Sequence, residues 1–217
     1  MGSFQDLWSS IRWDLALELL TRLLAVFICL TVHETCHGLV AYALGDPTAK
    51  RMHRLSFNPL RHIDWFGLLA MIVVGFGWAK PVPVDSRYFK KPKQGMALCA
   101  LAGPVSNFLL AVLALFGVRL MSGVTATSFT VWLFNFLILL AILNLGLGLF
   151  NLIPIPPLDG SKVLFSVLPD HAYAQLMRYE KYGMLVILAL VVLGIGGSFL
   201  NDAILWVFQG LWNLIVL

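Results

Sequence analysis

The sequence predicts an all-α polytopic membrane protein, a bundle of about 4–6 transmembrane helices with a small extended or re-entrant element on the cytoplasmic side. Of the 217 residues, 59% are hydrophobic and only 12% are charged, whereas a soluble domain carries about 25% charged residues. Apolar runs long enough to cross a bilayer recur along the chain. No long polar stretch separates them, so residues 1–217 are expected to form a single domain.

Positive charge is concentrated in one part of the chain. Nine of the fifteen Lys and Arg residues lie between Lys50 and Lys93, next to predicted spans. Membrane proteins keep an excess of such residues in their cytoplasmic loops. We therefore expect this region to face the cytoplasm, and we expect no nucleic acid as a partner.

The first half of the chain is predicted to contain one long span and one short apolar element. The span covers residues 15–44 and ends at Gly45, Asp46 and Pro47, a combination that stops helices. Residues 1–14 lack the basic segment of a signal peptide, so this span is expected to stay attached. Residues 65–78 are short for a crossing, which favours a re-entrant element over a short, tilted span. Residues 77–84 alternate apolar residues with proline and predict an extended edge strand.

The second half is predicted to contain two long spans and several shorter helices. The spans cover residues 94–121 and 129–150, and an uncharged turn joins them. Three prolines within residues 154–157 then end the helix. A short helix is expected from residue 161, a polar stretch over 169–181 and an apolar helix over 182–200. Residues 203–217 are expected to form a final short span or an interfacial helix.

Two histidines and a glutamate lie within one turn of the first predicted span. His33, Glu34 and His37 form the pattern His-Glu-x-x-His. Residues four apart lie on the same face of a helix, so both imidazoles can reach one metal ion, and zinc suits such ligands. Glu34 lies beside them, where its carboxylate can take a proton from a metal-bound water. Since ionisable groups within a bilayer cost about 2.5–3.5 kcal/mol each, a metal site explains this cluster better than a structural polar cluster does.

Asp159 is the candidate for a third metal ligand. Catalytic zinc sites usually take three protein ligands and a water. Asp159 follows the irregular, proline-rich backbone and precedes Gly160, and such backbone is tolerated at membrane depth where it lines a cavity. His37 lies eight residues before Gly45, roughly 12 Å along a helix. Because successive spans alternate in direction, Asp159 is expected at a comparable depth on the cytoplasmic side.

The chain resembles the site-2 proteases, which are intramembrane zinc metalloproteases. Four segments carry the resemblance: His-Glu-x-x-His at residues 33–37, Asn-x-x-Pro-x-Pro-x-Leu-Asp-Gly at 151–160, Ala-Gly-Pro-Val-Ser-Asn at 102–107, and Gly-Trp-Ala-Lys-Pro-Val-Pro-Val at 77–84. The motifs cover residues 33–168. The chain leaves no room for an inserted PDZ domain, so it looks like the short subgroup of the family, which occurs in prokaryotic membranes.

The resemblance implies that His33, His37 and Asp159 bind one zinc ion and that Glu34 is the general base. It also implies hydrolysis of a peptide bond in or next to a transmembrane segment, with a membrane protein or a remnant signal peptide as substrate. The enzyme would lie in the cytoplasmic membrane with its active site towards the cytoplasm. Asn107 and Asn151 are candidates for supporting the substrate or the transition state, and helix packing and capping are their alternatives.

Two other functions remain open at this point. A catalytically silent relative would bind membrane helices without cutting them, but such a relative would normally lack Glu34 or a ligand. A transporter or metal-handling protein would need a polar path across the membrane, whereas the polar groups here collect at one level.

Overall fold

The computed structural model describes residues 13–74 and 77–217. In these ranges the chain forms eight α-helices: α1 (Trp13–Ala43), α2 (Thr48–Arg51), α3 (Trp65–Val74), α4 (Pro92–Leu120), α5 (Ser128–Asn151), α6 (Asp159–Ser166), α7 (Asp170–Val192) and α8 (Gly197–Ile215). The β-type pairing within the same ranges is a single antiparallel bridge between Ile63 and Ala79. The predicted all-α fold is confirmed.

Three helices, α1, α4 and α5, are long and apolar enough to cross a membrane. The pair α7 and α8, bent by 88° at the break between them, would make a fourth span. The outer surface of the long helices is apolar: Leu109, Leu113 and Phe116 of α4 are each more than half exposed. Such a surface suits lipid rather than water. The protein is therefore an integral membrane helical bundle, with three candidate spans, or four if α7 and α8 form one, against the 4–6 predicted.

Helix α4 lies at the centre of the bundle and packs against α1, α5 and α6. Small residues allow this close packing, because Ala111 and Ala114 of α4 face Ala25 of α1 and Ala141 of α5 in one buried cluster. Helix α8 covers this cluster from the side of α5. The arrangement brings one turn of α1 next to the N-terminal half of α4 and to the start of α6.

The long helices begin and end within two residues of the predicted positions. Helix α1 stops before Gly45, which adopts a left-handed conformation with φ of +104°. Helix α5 starts at a reciprocal capping box between Thr127 and Thr130 and ends at Asn151, before the prolines. In both cases local sequence chemistry decides the boundary.

The predicted boundaries of the last two helices were wrong. The polar stretch expected over 169–181 is helical from Asp170 onward, so α7 begins at Asp170 rather than at residue 182. Ion pairs stabilise this charged half of the helix: Lys93 contacts Asp170 at 2.9 Å and Lys162 contacts Glu180 at 3.6 Å. Helix α7 ends at Val192 instead of residue 200, because Gly194 and Gly196 take left-handed conformations.

The short element between α1 and α4 includes α3 and the irregular residues 77–85. Helix α3 has ten residues, about 15 Å of helix and half the thickness of a bilayer core. The expected strand at 77–84 forms only the bridge at Ala79, and the backbone N–H of Lys80 donates to the carbonyl of His62. The expectation for the N-terminus concerns residues 1–12, and the expected re-entrant element includes residues 75–76. Both ranges lie outside the described residues.

Candidate metal centre

Helix α1 places His33 and His37 side by side in the interior of the bundle. The two residues are four apart in an unbroken helix and are 4% and 9% exposed. Their Nε2 atoms lie 3.0 Å from each other. Two imidazole nitrogens therefore face the same point, as the spacing in the sequence predicts.

The other ring nitrogen of each histidine is held from behind by α4. His33 Nδ1 lies 2.6 Å from Asn107 Oδ1, and His37 Nδ1 lies 2.6 Å from the carbonyl oxygen of Cys99. Both partners are acceptors, so each Nδ1 carries the hydrogen and donates it. Each Nε2 consequently presents a lone pair to the other, which is the tautomer that metal-ligating histidines adopt.

Asp159 completes the cluster from the first turn of α6. Its Oδ2 atom lies 3.2 Å from His33 Nε2 and 3.2 Å from His37 Nε2. The carboxylate is 9% exposed, and Oδ2 has no hydrogen-bond partner among the described residues.

The three ligand atoms fit a zinc ion. They all lie within 4.8 Å of one another, and ligands about 2.0–2.2 Å from a tetrahedral zinc are separated by about 3.3–3.6 Å. Two lone pairs and a carboxylate oxygen would repel each other at this distance unless a cation lay between them. A cation between these atoms would also give the buried, unpartnered Oδ2 of Asp159 a partner.

A glycine of α4 makes room for the two imidazoles. A Cβ atom added to Gly103 would lie 2.5 Å from His33 Cε1 and 2.5 Å from His37 Nε2. No side chain other than hydrogen fits there without moving a ligand. The Ala-Gly-Pro motif of the sequence thus has a steric function beside the metal centre.

Glu34 lies at the same level and faces a cavity of about 570 Å³. Its Oε2 atom accepts a hydrogen bond of 2.7 Å from the backbone N–H of Val82. Its other carboxylate oxygen makes no hydrogen bond to the described residues and is free to act on a proton. His33, His37 and Asp159 line the same cavity, so the carboxylate and the ligand cluster share one space.

The two asparagines lie in different places. Asn107 is fully buried behind His33, where its amide nitrogen also donates to Asn144 Oδ1 at 2.7 Å. Asn151 lines the cavity at the end of α5 and donates to the carbonyl of Leu147 at 3.0 Å. Their contact with a substrate or a transition state stays a prediction.

The residue that orients Asn107 was not predicted from the sequence. Asn144 is completely buried, and its amide nitrogen donates to the carbonyl of Leu140 and to the sulfur of Cys29. These contacts fix the amide of Asn144 and, through it, the amide of Asn107. The signal was present in the sequence, because Asn144 is one of two amides, with Asn135, among the apolar residues of a predicted span.

The chain is similar to proteins of one peptidase family. The profile of peptidase family M50 matches residues 124–194, which include Asp159 but not the histidine pair. The chain is 39% identical over 200 residues to "Putative zinc metalloprotease YwhC" of Bacillus subtilis, covering 88% of this chain and 91% of that protein. It is 26% identical over 185 residues to "Putative zinc metalloprotease Rip2" of Mycolicibacterium smegmatis, covering 83% and 70% respectively. No solved structure matches the chain.

The histidine pair, the aspartate and the helical bundle agree with these matches. The similarity to the Bacillus protein extends over nearly the whole of both chains. The chain therefore belongs to peptidase family M50, the site-2 proteases, and is a zinc metalloprotease of the membrane.

Proposed function

We propose that the protein hydrolyses a peptide bond in or next to a transmembrane segment of a membrane protein, with Glu34 as the general base. One zinc ion would be held by His33, His37 and Asp159. When bound, it would lower the pKa of a bound water and polarise the scissile carbonyl. The observation that carries this proposal is the convergence of two imidazole lone pairs and an unpartnered carboxylate beside Glu34.

The carboxylate of Glu34 has one oxygen fixed and one free. The N–H of Val82 holds Oε2, which sets the orientation of the group while the second oxygen takes a proton from the attacking water. The water oxygen then adds to the scissile carbonyl carbon. Glu34 returns the proton to the leaving nitrogen as the C–N bond breaks, so the carboxylate is regenerated.

The segment after α3 is the proposed support for an unwound substrate. Ala79, Pro81 and Val82 line the metal cavity, and the guanidinium of Arg54 donates to the carbonyl of Lys80 at 2.7 Å. The segment is therefore anchored by a cation that is itself 9% exposed. A helical substrate must open its backbone before cleavage, and strand addition along this segment would hold it open.

The proposed location is a prokaryotic cytoplasmic membrane, with the metal centre towards the cytoplasm. The positively charged region between Lys50 and Lys93 supports this orientation. The two similar proteins come from bacteria. Labelling of single cysteines introduced at Met52 and at Thr125, on opposite sides of the bundle, would test it in intact cells.

The test combines zinc content with cleavage. Purified full-length protein is assayed for zinc by elemental analysis, and for cleavage of a library of single-span peptides by mass spectrometry. We expect about one zinc per chain in the wild type and in Glu34→Gln, and much less in His37→Ala and Asp159→Ala. Glu34→Gln should lose about 10²–10⁴-fold in turnover. Cleavage by Glu34→Gln at the wild-type rate would contradict the role of Glu34.

A further inference from the structure

Helix α8 has two different faces. Its inner face packs against the buried cluster at the centre of the bundle, through Ile204, Val207, Phe208, Leu211, Trp212, Ile215 and Val216. Its outer face is exposed at positions that recur every three or four residues, among them Trp206, Gln209, Gly210, Asn213 and Leu214. Residues with this spacing form one continuous stripe along a helix. We call it the outer stripe of α8.

Contacts near both ends of α8 set its depth in the bundle. On the side of the metal centre, a Cβ atom added to Gly146 of α5 would lie 3.3 Å from Ile204 Cδ1. At the other end, the guanidinium of Arg119, in the last turn of α4, donates to the carbonyl of Val216 at 2.6 Å. Helix α8 therefore runs alongside α5, in the opposite direction, through most of the membrane.

Gln209 and Asn213 of the outer stripe lie at the depth of the hydrocarbon core. Gly146 precedes the end of α5 at Asn151 by five residues, and Gln209 follows Ile204 by five residues, each about 7.5 Å of helix. Gln209 is thus about 15 Å from that end of α5, half the thickness of a hydrocarbon core. Asn213 is about 6 Å further along α8.

These two amides lack partners within the described part of the chain. Both side chains are exposed, and neither makes a hydrogen bond to a described residue. Lipid tails offer no hydrogen-bonding groups, so an amide exposed to them costs free energy that contact with another polar helix face would offset. Asn135 is an exposed amide of α5, but it stands alone, whereas Gln209 and Asn213 are four residues apart on one face.

Gly210 makes the outer stripe suitable for close contact with another helix. A Cβ atom added to Gly210 would meet no atom within 4 Å. Trp206 and Leu214, four residues to either side of it, are 77% and 80% exposed, so Gly210 forms a notch between two large side chains. In membranes, a small residue lets two helix backbones approach closely, and neighbouring amides hydrogen-bond across the contact.

We propose that the outer stripe of α8 binds a second copy of this chain, so that the protein is a homodimer in the membrane. Two copies inserted in the same orientation are related by a two-fold axis along the membrane normal, so their α8 helices are parallel and like residues meet at the same depth. An amide is both a donor and an acceptor. Gln209 and Asn213 can therefore each pair with the same residue of the second copy, which matches their depth by symmetry.

The remaining features of α8 are compatible with this interface. Asp202 lies on the same face, but it is eight residues, or about 12 Å, from Gly210. Two helices that cross at Gly210 have moved apart there, which separates the two carboxylates. No described residue of α8 lines the metal cavity, so the interface leaves the cavity of each copy accessible. The inference does not depend on the proposed reaction.

The experiment measures association of the full-length protein in phosphatidylcholine vesicles. Chains that carry a donor or an acceptor dye at the C-terminus are mixed, and energy transfer is followed as the lipid-to-protein ratio rises. We expect the wild type to form dimers. Gln209→Leu should weaken association about 10-fold, and its combination with Asn213→Leu about 30-fold or more. Gly210→Leu should weaken association about 10-fold or more, although leucine favours a helix more than glycine does.

Asn135→Leu is the matched control, because Asn135 is an exposed amide outside the outer stripe. It should leave association unchanged, and every variant should keep the zinc content of the wild type. A wild type that is monomeric in vesicles would overturn the inference, as would variants of Gln209 and Gly210 that associate as strongly as the wild type. Equal losses of association in Asn135→Leu and Gln209→Leu would also overturn it. None of these outcomes depends on peptide cleavage, so a failure of the proposed function is distinguishable.

Discussion

The two sides of the metal cavity are built differently. The rear wall, formed by Cys99, Gly103 and Asn107 of α4 and Asn144 of α5, is buried and holds the imidazoles through a connected set of hydrogen bonds. The front wall, formed by residues 79–85 and by the ion pair of Lys162 with Glu180, is partly exposed. Its contact with the proposed catalytic group is one hydrogen bond, from Val82 to Glu34.

This difference separates two tasks. Ligands must stay within a few tenths of an ångström of their positions, so the wall that orients them is rigid and dry. A substrate must enter, unwind and leave, so the wall that contacts it is accessible and held by few bonds. Changes in the rear wall should therefore alter zinc affinity, whereas changes in the front wall should alter KM and leave zinc in place.

The largest effect is expected for Gly103→Ala. The added Cβ would lie 2.5 Å from atoms of both imidazoles, and the rings have nowhere to move because Nδ1 of each is hydrogen-bonded. We expect zinc affinity to fall by about 100-fold or more, the upper end for residues that support a ligand, as measured by competition with a chelator.

Gly117→Ala in the same helix is the control for this variant. Its Cβ would lie 3.1 Å from the flexible end of Leu137, and alanine favours a helix more than glycine does. It should leave zinc affinity unchanged. Equal zinc affinities in the two variants would contradict the steric function assigned to Gly103.

Asn107→Leu should lower zinc affinity by about 10–100-fold. The leucine removes the acceptor that keeps the hydrogen on His33 Nδ1 and orients the ring. Asn144→Leu should have a smaller effect of the same sign, since Asn144 acts only through Asn107. Chelator competition measures the zinc affinity of both variants. A larger loss of affinity in Asn144→Leu than in Asn107→Leu would contradict the proposal that Asn144 acts through Asn107.

Arg54→Met should raise KM by about 10-fold and leave the zinc content at the wild-type value. The guanidinium anchors the carbonyls of Lys80 and Pro81, and a charged hydrogen bond of this kind is worth about 1.5–3 kcal/mol. Peptide cleavage kinetics and elemental analysis measure the two quantities. Arg61→Met, which removes an arginine that contacts His53 instead, should change neither. Loss of zinc in Arg54→Met would show that the two walls are not independent.

The smallest effect is expected for Lys162→Met. Lys162 and Glu180 are 3.6 Å apart with side chains 22% and 30% exposed, and such partly solvated pairs contribute about 0–1 kcal/mol. We expect kcat/KM to change by no more than about 5-fold in cleavage assays. A much larger loss would mean that this ion pair controls how α7 covers the cavity.

The sequence was sufficient for the parts of the structure that depend on neighbours along the chain. The spacing of His33 and His37, the stop at Gly45 and the break before Asp159 are local, and the structure shows each of them close to its predicted position. The fold class followed from composition and from the recurring apolar runs. The juxtaposition of Asp159 with the histidines followed from alternating span directions, which a bilayer imposes on every helical bundle.

The contacts that could not be predicted join residues distant in the sequence. The hydrogen bond from Val82 to Glu34 spans 48 positions, and that from His33 to Asn107 spans 74. The periodicity of apolar residues along a helix does not indicate which polar groups of different segments will meet across a bundle. The start of α7 was missed for a similar reason, because its charged residues meet Lys93 and Lys162 of other helices.

The two prolines of the front wall have a consequence for inhibitor chemistry. Pro81 and Pro83 have no backbone N–H, and the carbonyl of Pro81 already accepts from Arg54. Among the described contacts, the carbonyl of Pro83 is therefore the backbone group that these two residues can offer to a ligand. A peptidomimetic laid along the segment must supply the N–H that meets it, so methylation of that amide nitrogen should weaken binding, whereas conversion of the facing carbonyl to a methylene group should be tolerated.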